Sequence, residues 1–203
     1  MDFNDTTCKV VLVGDTGVGK TCIIKRFVND EFSEIMEATI SSTYICKTID
    51  SKKYKKSITY DIWDTAGQEM YRALAQNFYL NASIGILVYD IRARESFNSI
   101  KDYWYPQLIE TGEENMIIGI AANKCDLFQE EEVSKEEGEK YAKSIGAVFQ
   151  LTSCSENIGI DDLFQECGEK YFEANKLFHK TESIKIKKDI HNNKKKNKKK
   201  KCC

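Results

Sequence analysis

Apolar residues along the first 175 positions of the chain follow two different spacings. Short apolar runs predict buried strands, and segments with apolar residues three or four positions apart predict amphipathic helices. The predicted strands cover Lys9–Val13, Thr43–Ile49, Ser57–Trp63, Ile84–Tyr89, Met116–Ala122 and Ala147–Leu151. The predicted helices cover Thr21–Val28, Glu95–Glu110, Lys135–Ile145 and Asp161–Asn175.

The order of these elements predicts the fold class. Strands that alternate with helices favour an α/β domain, with a mostly parallel six-stranded sheet covered by helices on both faces. A lysine-rich hairpin near Asp50–Lys53 joins the second and third strands, so one strand is antiparallel. Asn29–Ser42 has no periodicity and predicts a loop, and Met70–Leu80 is helical or irregular. In such sheets, ligands bind beyond the carboxyl ends of the strands.

Charge is distributed unevenly along the chain. The net charge of the 203 residues is −2, but from Lys180 onward 11 lysines face only Glu182 and Asp189. That tail carries +9, and the remainder, with 19 basic and 30 acidic residues, carries −11. Because residues 191–201 lack apolar side chains to bury, we expect them to be disordered. We predict a globular domain at residues 1–178 and a disordered polybasic tail at residues 179–203.

No secretion signal or membrane span is predicted. The segment Met1–Thr7 is short and polar, and no apolar run approaches the roughly 20 residues that cross a bilayer. The six cysteines from Cys8 to Cys167 form no CxxC pair and have no histidine at zinc spacing. We expect them to be reduced and mostly buried, as in a cytosolic protein.

The segment Gly14–Thr21 has the form GxxxxGK[ST], between a predicted strand and a predicted helix. In this phosphate-binding loop, glycines let backbone N–H groups surround phosphate oxygens, and the helix N-terminus adds a favourable dipole. Lys20 is expected to reach the β- and γ-phosphates, and the Thr21 hydroxyl to bind Mg²⁺. The loop alone does not distinguish ATP from GTP, or a kinase from a switch.

Two further segments add candidate chemistry for phosphate transfer. After the strand that ends at Trp63, Asp64 suits the outer coordination shell of a metal ion, and Gly67 offers a backbone N–H to a γ-phosphate. Gln68 is placed to orient an attacking water, although by itself it is equally a solvated loop residue. In the loop before Ser42, Thr39 is a second candidate Mg²⁺ ligand.

Base recognition is predicted after two other strands. Asn123-Lys124-Cys125-Asp126 provides a carboxylate that can accept hydrogen bonds from guanine N1–H and the 2-amino group, both of which adenine lacks. The backbone at Thr152–Cys154 is a candidate donor to guanine O6, and Phe32 is a candidate to lie against the base. Each of these signals is weak alone, because polar turns and core-packed phenylalanines are common.

Together, the motifs GDTGVGKT, WDTAGQE, NKCD and TSC, in that order, resemble those of the Ras-like small GTPases over about residues 8–175. Trp63, the run 71–82 and Val88-Tyr89-Asp90 are similar to the Rab branch, with the closest similarity to endosomal Rabs. The resemblance implies the P-loop GTPase fold and two switch segments, around Thr39 and over Gly67–Ala75, that GTP orders. It also implies a GTP/GDP cycle with Mg²⁺ as cofactor and slow hydrolysis.

The resemblance further implies a role for each matching residue. The implied phosphate-binding residues are Asp15, Thr16, Gly17, Val18, Gly19, Lys20, Thr21, Cys22 and Gly67. The implied guanine-binding residues are Phe32, Asn123, Lys124, Asp126, Ser153, Cys154 and Ser155. The implied metal ligands are Thr21, Thr39 and Asp64, the last through water, and Gln68 is the implied catalytic residue.

Several positions depart from the family pattern. Ser41 stands in place of a glycine, Met70 in place of an arginine, and Cys154 and Ser155 in place of an alanine and a lysine. The first two lie on the implied switches and leave the identity of effectors and exchange factors open. No arginine lies in the phosphate loop, and only Arg72 lies near Gln68, so we expect slow intrinsic hydrolysis. Thr16, where a bulky side chain hinders hydrolysis, is expected to slow it further.

The C-terminus combines a lysine run, Lys194–Lys201, with Cys202 and Cys203. By composition, the lysines are equally a solvated tail or a patch for nucleic acid. The two cysteines resemble the double-cysteine Rab terminus, which is geranylgeranylated on both, and two lipid chains give stable attachment where one does not. We therefore expect a lipidated tail on the cytoplasmic face of an endosomal or other intracellular membrane, a cytosolic pool and no nucleic-acid partner.

The sequence thus predicts a GTPase switch that recruits effectors in vesicle traffic. The resemblance implies four kinds of protein partner, namely an exchange factor, an activating protein, a dissociation inhibitor and effectors. Two other classes stay open: a nucleotide-locked binding module with negligible hydrolysis, and a P-loop kinase or ATPase. Asp126 argues against the last, as does the lack of an acceptor-binding lid in the sequence.

Overall fold

A computed structural model describes residues 5–33, 43–54, 56–64, 79–113 and 115–175 of the chain. It divides into a first unit, Met1–Glu169, and a second, Lys170–Cys203, of which only residues 170–175 are described. The whole predicted tail, residues 179–203, lies outside the described part, so the predicted boundary after residue 178 stays a prediction. No helix in the described ranges is long and apolar enough to span a bilayer.

Six strands form one sheet. They are β1 (Asp5–Val13), β2 (Thr43–Asp50), β3 (Ser57–Asp64), β4 (Ile84–Asp90), β5 (Ile117–Asn123) and β6 (Val148–Thr152). Their spatial order is β2-β3-β1-β4-β5-β6, and only β2 runs antiparallel to its neighbour. The predicted α/β class, with six strands and one antiparallel, is confirmed. β1 begins four residues before the predicted Lys9, because Asp5 pairs with Ser57 of β3.

Helices connect the strands. They are α1 (Lys20–Asn29), α2 (Arg94–Ser99), α3 (Tyr105–Thr111), α4 (Lys135–Ser144) and α5 (residues 160–175). The single helix predicted over 95–110 is interrupted by a π-helical turn, Ile100–Trp104, that periodicity did not indicate. A 3₁₀ helix, Cys125–Glu130, was also not predicted. Only Tyr79 and Leu80 of the segment predicted as helical or irregular, Met70–Leu80, are described.

Apolar side chains fill both faces of the sheet. On one face, Leu87 and Tyr89 belong to a buried cluster with Phe97 and Leu108 from the α2–α3 segment. On the other face, Phe27 of α1 stacks on Phe164 of α5 with ring centroids 3.7 Å apart. Tyr60 of β3 donates its hydroxyl hydrogen to the carbonyl of Phe164 at 2.8 Å, which ties α5 to the sheet. The two layers hold the strand ends in fixed positions.

Candidate functional site

The predicted site residues follow the carboxyl ends of four parallel strands. The phosphate loop follows β1, Asp64 ends β3, Asn123 ends β5, and Ser153 follows β6. Because these strands run in the same direction, their ends meet at one edge of the sheet. Thr39, Gly67 and Gln68 lie outside the described residues, as do Ser41, Met70, Arg72, Cys202 and Cys203.

The backbone of the phosphate loop requires glycine at two positions. Gly14 and Gly19 have φ angles of 150° and 102°, which side-chain-bearing residues rarely adopt. A Cβ atom at Gly14 would lie 2.2 Å from the carbonyl oxygen of Val88, and one at Gly19 would lie 2.3 Å from Nδ2 of Asn123. The first and last glycines of the loop therefore allow close packing against β4 and β5.

Lys20 points into the centre of this loop. Its ammonium group donates to the carbonyl oxygens of Gly14 and Asp15 at 2.8 and 2.7 Å, and the residue is only 6% exposed. Burial lowers the pKa of Lys20 to about 8, while the charges of Asp64 and Asp15 act in the opposite direction. A buried cation surrounded by loop backbone is suited to bind an anion, because phosphate oxygens would replace the missing solvent.

Asp64 is buried at the end of β3. Alternate residues of that strand face the interior, and Asp64 continues the buried series that includes Ile58, Tyr60 and Ile62. Burial raises its pKa, and a hydrogen bond from Thr21 and the charge of Lys20 oppose this effect. Among the described residues, Oδ1 of Asp64 has no hydrogen-bond partner. A buried carboxylate with an unsatisfied oxygen beside a hydroxyl fits a hard cation such as Mg²⁺.

Asn123 joins the candidate base loop to the phosphate loop. It is 2% exposed, and its Nδ2 donates to the carbonyl oxygen of Val18 at 2.8 Å. Its Oδ1 accepts from Thr152 Oγ1 at 3.1 Å and from Cys154 Sγ at 3.8 Å. One side chain therefore connects the loops that follow β1, β5 and β6.

Lys124 makes a second connection between the base loop and the phosphate loop. It also binds Asp90, a residue that sequence reasoning did not select for the site. Its ammonium group donates to the Gly17 carbonyl at 2.8 Å and lies 2.7 Å from Oδ2 of Asp90, at the end of β4. Arg92 binds the same carboxylate through its side chain at 3.1 and 3.2 Å. The position of Asp90 at the end of a predicted strand could have identified it as a site residue. In the sequence, however, Asp90 indicates only a similarity to Rabs.

The loop after β6 is held in a tight turn. Ser153 and Ile158 exchange two backbone hydrogen bonds of 3.0 Å, and the Ser153 and Ser155 hydroxyls are 2.9 Å apart. Cys154 lies beside Cys22, the residue that follows the phosphate loop, and this proximity lowers the pKa of the Cys22 thiol. The predicted residues Ser153, Cys154 and Ser155 therefore lie beside the phosphate loop.

Two predicted base residues lie at the margin of this arrangement. Asp126 is half-buried in the 3₁₀ helix that follows β5. Phe32 is 41% exposed and lines a cavity of about 200 Å³ with Cys22, Lys25, Glu31 and Ser33. The guanidinium of Arg26 lies 5.8 Å from the centre of the Phe32 ring. Sequence reasoning did not select Arg26, because nothing in its local pattern distinguishes it from other helix-surface arginines.

The six cysteines expected to be reduced are all free in the structure. Cys8, Cys154 and Cys167 are buried, Cys22 and Cys125 are half-buried, and Cys46 is exposed. The expectation that most are buried therefore holds for three of them.

Comparison with known proteins agrees with this geometry. The family model described as "Ras family" matches residues 9–173. Human Rab-22A is 42% identical over 163 residues, covering 80% of this chain and 82% of the relative. Mouse Rab-31 is 42% identical over 157 residues, covering 77% and 79%, and a tobacco Rab5 is 36% identical over 167 residues, covering 82% of each.

Membership of a family follows from the length and identity of these matches. The family match extends from Lys9 in β1 across the phosphate loop, both base loops and the other five strands. The chain therefore belongs to the Ras family and is a Rab-type small GTPase, a guanine-nucleotide-binding GTP hydrolase of vesicle trafficking that acts with regulators and effectors.

Proposed function

We propose that this protein binds Mg²⁺ with GTP or GDP at the carboxyl edge of its sheet, with the residue roles that follow. The observation that carries the proposal is the pair of bonds from Asn123 to Val18 and from Lys124 to Gly17. These bonds join the base loop to the phosphate loop, as one bound nucleotide requires. Two separate ligand sites would not need them.

In this proposal the phosphates lie against the loop backbone. The N–H groups from Gly17 to Cys22 point at phosphate oxygens, and Asp15, Thr16 and Val18 complete the loop. Lys20 exchanges its carbonyl partners for the β- and γ-phosphates, because a charged oxygen is the stronger acceptor. Thr21, Thr39 and Asp64 hold Mg²⁺, which would neutralise charge between the β- and γ-phosphates. The unsatisfied oxygen of buried Asp64 supports this role.

Guanine is recognised by the loops that follow β5 and β6. Asp126 accepts from N1–H and the 2-amino group, and the backbone at Ser153, Cys154 and Ser155 donates to O6. Asn123 and Lys124 hold the base loop, and Phe32 lies against the ring. Adenine would leave the Asp126 carboxylate unpaired, and that cost gives base selectivity.

Hydrolysis in this proposal depends on Gln68, which orients the attacking water, and on Gly67, whose N–H contacts the γ-phosphate. The proposed intrinsic rate is slow because the phosphate loop contains no arginine and Arg72 is the only arginine near Gln68 in sequence. An arginine supplied by an activating protein contributes roughly 10³–10⁵ in rate. Single-turnover hydrolysis that no activating protein accelerates would contradict this part of the proposal.

The test uses purified full-length protein and its Gln68→Leu variant, with binding of GTP and ATP and release of phosphate measured for both. GTP binding by both proteins, with hydrolysis lost only in the variant, supports the proposal. Absence of hydrolysis in both indicates a nucleotide-locked binding module. Preference for ATP contradicts the assignment of Asp126.

Membrane attachment is proposed for the C-terminus. Geranylgeranyl chains on Cys202 and Cys203 anchor the protein, and the lysines of the tail add attraction to an anionic leaflet. The similarity of its motifs to endosomal Rabs supports an endosomal membrane, with a cytosolic pool held by a dissociation inhibitor. An exchange factor, an activating protein and effectors complete the cycle.

A further inference from the structure

Arg26, in the last turn of α1, makes a long-range contact in addition to the local ion pair that is typical of a surface arginine. Its side chain is only 13% exposed. The guanidinium Nε donates to the carbonyl oxygen of Cys154 at 2.9 Å, across 128 positions of sequence. This bond joins the helix that follows the phosphate loop to the loop that follows β6.

The bond to Cys154 fixes the orientation of a peptide. No peptide bond in the described residues is cis, so the C=O of Cys154 and the N–H of Ser155 point in opposite directions within one plane. A donor held on the carbonyl therefore also determines where the Ser155 N–H points. That backbone is the proposed donor to guanine O6, so Arg26 acts on base recognition without touching the base.

Arg26 also binds the C-terminal end of α1. Its Nη1 donates to the carbonyl oxygen and to Oδ1 of Asp30, at 2.9 and 3.0 Å. Asn157, beyond Cys154 in the β6 loop, donates to the same Oδ1 at 3.1 Å. The guanidinium carbon lies 5.8 Å from the centre of the Phe32 ring. One side chain thus holds the β6 loop, the end of α1 and the proposed base-stacking ring.

A simple surface ion pair does not account for this arrangement. The Arg26–Asp30 pair is an i,i+4 contact with Asp30 75% exposed, and such pairs contribute little to stability. The bond to Cys154 is different, because it is charge-assisted, shielded from solvent and made to a carbonyl that the turn presents in a fixed direction.

We propose that Arg26 is a positioning residue that sets the rate of guanine-nucleotide release by fixing the Cys154–Ser155 peptide and Phe32. The inference rests on the proposed guanine site. Loss of Arg26 allows this peptide to rotate and Phe32 to move, so the base is held less well while the phosphate loop is unchanged. The effect is therefore on the base and not on the phosphates.

The experiment measures release of fluorescently labelled GDP from the full-length protein and from Arg26→Ala and Arg26→Lys. Both variants are expected to release GDP about tenfold faster, because lysine keeps the charge but lacks the Nε donor. Asp30→Ala, which removes the exposed ion pair and the Asn157 bond but keeps the Cys154 bond, is the control and should change release less than twofold. Circular dichroism checks that each variant is folded.

A second nucleotide separates positioning from general structure. The diphosphate of 2-aminopurine riboside keeps the phosphates and the 2-amino group but lacks O6 and the N1–H, and the loss of the N1–H is the same for wild type and variant. For this nucleotide the ratio of variant to wild-type release rates should be clearly smaller than the ratio for GDP, because only the contribution of Phe32 remains. An equal ratio for both nucleotides, or an Arg26→Lys variant that behaves as wild type, would overturn the role of Arg26. A wild-type protein that does not prefer GDP to ADP would instead contradict the proposed guanine site.

Discussion

The indole N–H of Trp104 donates a hydrogen bond of 2.9 Å to Oδ1 of Asp15, the second residue of the phosphate loop. Trp104 is 6% exposed and ends the π-helical turn between α2 and α3. The local widening of the helix at this turn changes the direction of its side chain relative to a regular α-helix. The hydrogen bond therefore joins the α2–α3 segment to the loop proposed to hold phosphate.

Replacing Trp104 with phenylalanine tests this bond. The variant keeps an aromatic ring but removes the donor, so the half-buried Asp15 carboxylate loses a partner. We expect the free energy of unfolding to fall by about 1–2 kcal/mol, measured by urea denaturation at matched nucleotide occupancy. Tyr105→Phe, which removes a polar hydrogen from the next aromatic residue, is the control. Equal losses in the two variants would show that the Asp15 bond contributes nothing specific.

Replacing Asp126 with asparagine should change base preference. An amide offers one acceptor and one donor, which match the N1–H and the C2 carbonyl of xanthine, whereas guanine presents two donors. We expect the preference for GDP over xanthosine diphosphate to fall by at least about a hundredfold. Competition against labelled GDP measures this ratio. Asp161→Asn makes the same change of charge at an exposed position of α5 and should leave the ratio unchanged.

Asp90 should contribute to stability in a pH-dependent way. Burial acts to raise the pKa of Asp90, but hydrogen bonds from Arg92 and Lys124 outweigh it and hold the pKa below the ordinary value of 3.8. A carboxyl with a lowered pKa stabilises the folded state above its unfolded pKa, and this contribution is lost as pH falls through the folded value. The difference in unfolding free energy between wild type and Asp90→Asn should therefore be constant above about pH 5 and shrink below pH 4.

Urea denaturation of both proteins between pH 3 and pH 7 measures that difference. A gap that stays the same down to the lowest pH would mean that the loss in Asp90→Asn comes from packing and not from charge. A gap that widens on acidification would have the wrong sign for a carboxyl whose pKa is lowered.

The proposed lipid anchor predicts a clear change in cells. A variant with serine at both Cys202 and Cys203 should be fully soluble after fractionation, because no acyl or prenyl chain remains to insert. Replacing Lys198 to Lys201 with glutamine should weaken membrane binding without abolishing it, since each lysine adds only about 1 kcal/mol. Membrane association of the double-serine variant equal to wild type would contradict the anchor.

Local sequence was sufficient for features that depend on neighbouring residues. Gly14 and Gly19 mark the phosphate loop because its backbone needs conformations that only glycine adopts easily, and this requirement is visible in the motif. The run Ser57–Trp63 likewise predicted β3, and the structure adds that alternate residues from Ile58 to Asp64 are buried. Strand and helix types could be predicted for the same reason, but pairing displaced the start of β1, and the π-helical turn and the 3₁₀ helix were not predicted.

Tertiary structure alone decided which residues support the site. Asn123 and Val18 are 105 positions apart in sequence, and Arg26 and Cys154 are 128 apart. Trp104 and Asp15 are separated by 89 positions. These contacts exist because parallel strands bring their carboxyl ends to one edge and because a π-helical turn redirects one indole. No local pattern of residues encodes such distances, so the motifs of the candidate site could be recognised from sequence, and its supporting contacts could not.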